Sequence, residues 1–212
     1  ELRYETDEEF GGDLTCNPHG FLTACIMPAF CHGEERIFID AEICPQLLEG
    51  LETAMAFINH WWYRKNPQNL TRIEAKTRST LLESNTEERA GMFFSGGVDS
   101  LATLRKNRLN FPLEHPWSIK DGVLVFGLET DDIKKFEYVK RSLLGIAKGA
   151  GFELIPVYTS VRYLDDNWMF WQRKFQDSVY ASVAHLFSKR FSVISIASTN
   201  DIANLQPDGS HP

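Results

Sequence analysis

The chain has 212 residues, 43% of them apolar, enough for one domain with a sizeable core, alone or with a smaller appendage. A formal charge of -7 disfavours the clustered Lys and Arg of a broad nucleic-acid footprint, and the locally basic RKNPQNLTR at 64–72 reads as a solvated face. No stretch approaches the roughly 20 apolar residues of a membrane span, and the acidic opening ELRYETDEEF is unlike a secretory leader, so the cytoplasm is the expected compartment.

FLTACIMPAF and RIFIDAEI read as two strands of a hairpin, with Cys-His-Gly-Glu-Glu as the turn between them. Pro45 opens a helix over 45–64 in which Leu48, Leu51, Met55, Ile58 and Trp62 recur at three-four spacing up to the break at Asn66-Pro67. Trp61 and Trp62 are assigned to packing between the two halves of the chain. Residues 67–89 are polar and read as a connector, so residues 1–89 form a smaller α+β segment. Cys16, Cys25, Cys31 and Cys44 all fall there, with His19 and His32 close by. Their spacing is irregular and no pair is two residues apart, so buried reduced thiols are preferred to a zinc site or disulfides.

From residue 90 to 212 the pattern alternates. MFF is a strand, 98–108 a helix in which Val98, Leu101, Ala102 and Arg105 recur at helical spacing, and DGVLVFGL a strand. Asp131 to Lys148 is a helix with Ile133, Phe136, Val139, Leu143 and Ile146 on one side, FELIPVY a strand, 167–190 a helix carrying Trp168, Trp171, Phe175, Val179 and Leu186, and FSVISIAS a fourth strand. Strands separated by helices imply an α/β domain: a parallel sheet with helices on both faces and ligands beyond the carboxyl ends of the strands. Three polar loops fall at such ends: SGGVDS, FGLETDD at 126–132 and ASTNDIANLQ at 197–206.

The first of these loops carries the chemistry. At a strand-to-helix junction the first helical N–H groups have no intrahelical partner and carry the positive end of the helix dipole, which makes an anion site. Gly96 and Gly97 let an anion approach the backbone, Ser95 and Ser100 add hydroxyls, and Asp99 can cap the turn or hold a cation. A Walker loop would end in Gly-Lys-Ser/Thr and a dinucleotide loop would read Gly-x-Gly-x-x-Gly; neither occurs here. Asp131 and Asp132 read as helix caps, Arg173 and Lys174 as weak phosphate candidates, and His185 as a core histidine.

Ser95-Gly96-Gly97-Val98-Asp99-Ser100 resembles the PP-loop of the N-type ATP pyrophosphatases, and by element order the resemblance runs from about Gly91 onward, leaving residues 1–89 uncovered. It implies a HUP-like, PP-loop type fold with a five-stranded parallel sheet. The loop would grip the β- and γ-phosphates of ATP while an acceptor oxygen attacks the α-phosphorus and pyrophosphate leaves. It also implies Mg2+, with Asp99 as its carboxylate. Adenine would lie near Phe94 and Phe126, Gly127 and Leu128, and Ser198, Thr199 and Asp201 would close over phosphate or metal. The expected partners are therefore ATP and a small-molecule acceptor, with a homo-oligomer left open. The layout is similar to 7-cyano-7-deazaguanine synthases and to the ATP-dependent half of asparagine synthetases. No cysteine follows residue 44 for the zinc cluster of the former, and none opens the chain as the glutaminase nucleophile of the latter. The reading is a ligase-type enzyme that adenylates a carboxylate or amide for a nitrogen nucleophile. The alternative is a non-catalytic adenine-nucleotide sensor of the same fold. Because PDGSHP follows closely on the fourth strand, the ATP domain is expected to be truncated at its carboxyl end.

Overall fold

The computed structural model describes residues 1–77, 88–128, 130–197 and 202–208. In chain order the elements are β1 (Tyr4–Thr6), α1 (Pro18–Cys31), β2 (Arg36–Ile43), α2 (Pro45–Trp62), β3 (Arg72–Thr77), β4 (Ala90–Phe93), α3 (Val98–Asn110) and β5 (Ile119–Phe126). They are followed by α4 (Ile133–Ala150), β6 (Glu153–Thr159), α5 (Trp168–Phe170), a π turn (Trp171–Phe175), α6 (Gln176–Leu186) and β7 (Val193–Ser195). Two units interleave along the chain. One takes the described residues of Glu1–Thr15, Asn85–Arg162 and Phe187–Asn204, the other those of Cys16–Ser84, Tyr163–Leu186 and Leu205–Pro212.

The first unit is built on a five-stranded sheet in the order β1-β6-β5-β4-β7. β6, β5, β4 and β7 run parallel, and β1 pairs antiparallel on β6, with Tyr4 opposite Thr159. The alternation of strand and helix from residue 90 thus gives the mostly parallel sheet it predicts, closed at one edge by a short polar strand that the sequence pattern does not announce. Met92, Leu124 and Leu154 meet Leu104 of α3 and Phe136, Leu143 and Ala147 of α4 in one core, so both helices cover the same face. Each leucine, methionine or phenylalanine among them contributes about 1.5–3 kcal/mol by leaving water. Within α3 the phase of the helix differs from expectation. Ser100 and Leu104 point inward, whereas Val98 is 81% exposed, because the first turn packs through its small serine.

In the second unit the expected hairpin is absent. FLTACIMPAF lies in a helix, α1, started by Pro18 and by Asn17, whose side chain accepts from the His19 N–H at 3.0 Å. Leu22, Thr23, Ala24, Ile26, Met27 and Phe30 are all buried and the partly exposed stripe of Phe21, Cys25 and Ala29 is itself apolar, so the letters carry no amphipathic period. Gly20 lets α6 approach: a Cβ there would stand 2.8 Å from Leu186. β2 pairs not with that segment but in parallel with β3, a strand inside the supposed connector, and α2 is the crossover between them. α2 itself lies where the three-four pattern places it. Trp61 packs on Phe57, and Trp62 takes the Arg173 guanidinium over its ring at 5.0 Å, both contacts within this unit.

One carboxyl in this unit has a stability consequence. Burial, aided by the nearby charge of Asp208, lifts Asp177 to about 7. The folded form therefore holds a proton that the unfolded chain has released, and this contribution is present at low pH and lost as pH rises from about 4 to 7. Asp177→Asn is expected to raise stability by on the order of 2 kcal/mol at pH 8 and to leave it nearly unchanged at pH 4, read by urea denaturation at the two pH values.

Candidate functional site

The loop after β4 is where the sequence places it, at the carboxyl end of a central parallel strand. Phe94 extends the ladder by one bond, its N–H donating to the Val123 carbonyl at 2.8 Å, and its ring meets Phe152 edge-on. Phe94 is therefore core, behind the loop. Ser95, Gly97 and Asp99 are exposed. Gly96 has φ +75°, and a Cβ there would stand 2.4 Å from Leu143 Cδ2, so the backbone turns in a conformation and a space that suit glycine alone.

Gly97 starts α3 and has no side chain to cap it, whereas α1 and α4 are capped by Asn17 and Asp132. Val98, Asp99 and Ser100 occupy the first turn, whose N–H groups have no carbonyl one turn earlier within the helix. The two serines differ in what they do. Ser95 Oγ accepts from the Gly97 N–H at 3.3 Å and stands in solvent. Ser100 is 3% exposed and donates to the Gly97 carbonyl at 2.8 Å, so its hydroxyl fastens the turn.

The next strand end lies alongside. Phe126 leans on Phe136 and Tyr158, and Leu128 is buried. Gly127 has φ +92°, and a Cβ there would stand 2.2 Å from the Thr159 carbonyl oxygen, so this turn too is reserved for glycine. Asp132 accepts from the Lys134 and Lys135 N–H groups at 2.9 and 3.2 Å, the cap expected of it. Ser198, Thr199 and Asp201 lie outside the described residues.

Arg173 and Lys174 belong to the other unit and are engaged there. Lys174 Nζ donates to the Tyr63 hydroxyl at 2.8 Å, and Arg173 covers Trp62. His185 meets His19 edge-on, and burial pulls its pKa down. Cys16 is exposed, and Cys25, Cys31 and Cys44 are only partly buried. Burial pushes the Cys25 and Cys31 thiols up. Among the described residues no three His, Cys, Asp or Glu side chains gather where they could hold a metal ion, and no helix is long and apolar enough to cross a membrane.

The opposite end of the sheet holds what the sequence reading missed. Asp121, with no exposure at all, accepts from Arg89 at 2.5 and 2.8 Å and from Arg190 at 2.8 Å. Arg190 also bonds Asp13 at 2.5 Å and Glu153. Arg89 precedes β4, Arg190 precedes β7, and Asp121 and Glu153 sit near the starts of β5 and β6, so the cluster ties together the amino ends of four strands. The available signal was a lone acid heading the apolar run DGVLVF. No protein-family model, curated protein or solved structure matches the chain.

Proposed function

We propose that the sheet-bearing unit is a PP-loop ATP-binding domain of HUP-like type that cleaves ATP to AMP and pyrophosphate, adenylating an acceptor carboxylate or amide. One observation carries the reading: between β4 and α3 the loop presents a glycine-built, uncapped helix start, with Ser95 and Asp99 in solvent, at the carboxyl end of a central parallel strand. Its positive field and free donors suit the β- and γ-phosphates. The acceptor oxygen attacks the α-phosphorus, the bond to the bridging oxygen breaks, and its electron pair leaves with pyrophosphate, whose growing charge the preorganised N–H groups stabilise.

Asp99, alone and exposed, is too little for an all-protein metal cage. One carboxylate does suit a magnesium ion that arrives on the nucleotide and keeps most of its waters, and such an ion would neutralise phosphate charge. Adenine is assigned to the neighbouring strand end at Phe126 to Leu128, read through backbone groups, since Phe94 and Leu128 are buried. The exposed Val98 and Leu101 give the loop an apolar border for base or acceptor.

The test supplies ATP, magnesium, ammonia and a panel of small carboxylic acids and amides and measures nucleotide products. AMP and pyrophosphate are expected in the presence of one acceptor class. ADP and phosphate would refute the reading. Saturable ATP binding without any turnover would select the sensor of the same fold.

A further inference from the structure

The second unit holds a half-open cavity of about 370 Å3. Met27 of α1 and Leu51, Phe57 and Trp61 of α2 give it an apolar wall, and Thr23, Asp177 and Asp208 line it as polar groups. The volume falls within the range of small-molecule sites and exceeds twice the roughly 150 Å3 that admits benzene.

Its polar groups are unusual in what they lack. Thr23 is 2% exposed, and among the described residues its Oγ1 has no hydrogen-bond partner; the same holds for Asp177 Oδ1, which is also buried. The two lie on different helices, α1 and α6, and both border this one cavity. Buried polar atoms are as a rule paired, since leaving one unpaired costs free energy; Trp62 Nε1, Gln68 Oε1 and Arg190 Nε also lack a hydrogen-bond partner among the described residues, but those residues do not line this cavity. The neighbours that could have answered them are engaged elsewhere: Lys174 bonds Tyr63, and Ser178 donates to the Thr23 carbonyl. The lining sets the carboxyls of Asp177 and Asp208 against the Lys174 ammonium, itself held by Tyr63, so with both carboxyls ionised the balance is acidic.

We propose that this cavity binds a small primary amine, a molecule with an apolar body of ring size whose ammonium group donates to the Asp177 carboxylate while the Thr23 hydroxyl completes the polar contacts. Trp61 and Phe57, tilted against each other at 5.4 Å, supply aromatic surface for the body. The raised pKa of Asp177 marks a carboxylate that burial penalises and a bound cation would stabilise.

Tryptamine serves as the probe, titrated calorimetrically into the full chain near neutral pH without nucleotide, beside indole-3-propionate and the neutral alcohol tryptophol. Saturable tryptamine binding is expected, with both controls at least tenfold weaker. Asp177→Asn should weaken tryptamine by roughly ten- to a hundredfold, the worth of a charge-assisted bond. Gly50→Leu tests the cavity without threatening the fold. A Cβ at Gly50, in the cavity wall, meets nothing within 4 Å, and leucine favours the helix, so the added side chain should fill the space and abolish binding while the protein stays folded. No saturable tryptamine binding, equal binding of the three probes, or binding unchanged in either variant would overturn the proposal. Nucleotide takes no part in the test, so its failure leaves the phosphate-loop reading untouched.

Discussion

Asp121→Ala is expected to cost about 3–5 kcal/mol of stability, a fall of ten degrees or more in Tm, read by thermal and urea denaturation. The side chain is fully buried and accepts from two guanidinium groups, Arg89 in bidentate geometry and Arg190 in a single bond. Removing it leaves two guanidinium groups side by side, Arg190 at 13% exposure keeping its pairs with Asp13 and Glu153, and Arg89 keeping only a long contact to Glu153 at 3.4 Å. Much of the cost is the loss of a fully buried carboxylate that two cations share, so Asp121→Asn, which keeps an oxygen in place, should lose about half as much. The cluster sits at the amino ends of the strands, away from the loop after β4. ATP affinity of the folded fraction of either variant should therefore match the parent's.

What was legible from the letters follows from where each element is buried. β4 to β7 alternate with α3 and α4; α4 shows one apolar face to the sheet, so its period reaches the sequence as a stripe, whereas α3 buries only Ser100 and Leu104 and leaves Val98 and Leu101 of its expected stripe exposed. α1 is apolar on its buried and its partly exposed side alike and reads as a featureless apolar run; only Asn17-Pro18 gives away its start. β1 and β3 are short and polar, YET and RIEAKT, and owe their conformation to pairing with β6 and β2, which no local pattern records. The place of SGGVDS between a strand and a helix was legible because the apolar run ending in Phe94 stops at paired glycines; its use as a phosphate loop is the proposal. The Asp121 cluster and the Asp177 cavity bring together residues far apart in sequence, each ordinary alone, and only the packing makes them a set.

Gly96→Val should reduce ATP affinity more than a hundredfold. Valine is poorly tolerated at φ +75°, and its Cβ would start 2.4 Å from Leu143 Cδ2, so the loop must move off α4 and lose the shape that presents its N–H groups. Part of that effect is lost stability, which the core position of Leu143 makes unavoidable. Ser95→Ala separates the two. Its hydroxyl is exposed and holds only a 3.3 Å bond to the Gly97 N–H, so Tm should hardly move, whereas removing a donor to a charged phosphate lowers affinity by roughly ten- to a hundredfold. Ser100→Ala should do the reverse, lowering Tm through the lost bond to the Gly97 carbonyl, with a smaller effect on affinity.

The most direct measurement is therefore a calorimetric titration of magnesium ATP into the parent protein and into folded Ser95→Ala. Saturable binding by the parent and a ten- to a hundredfold loss in the variant at unchanged Tm is the predicted result; no binding by the parent, or equal binding by both, would contradict the assignment of residues 95–100 as a phosphate loop.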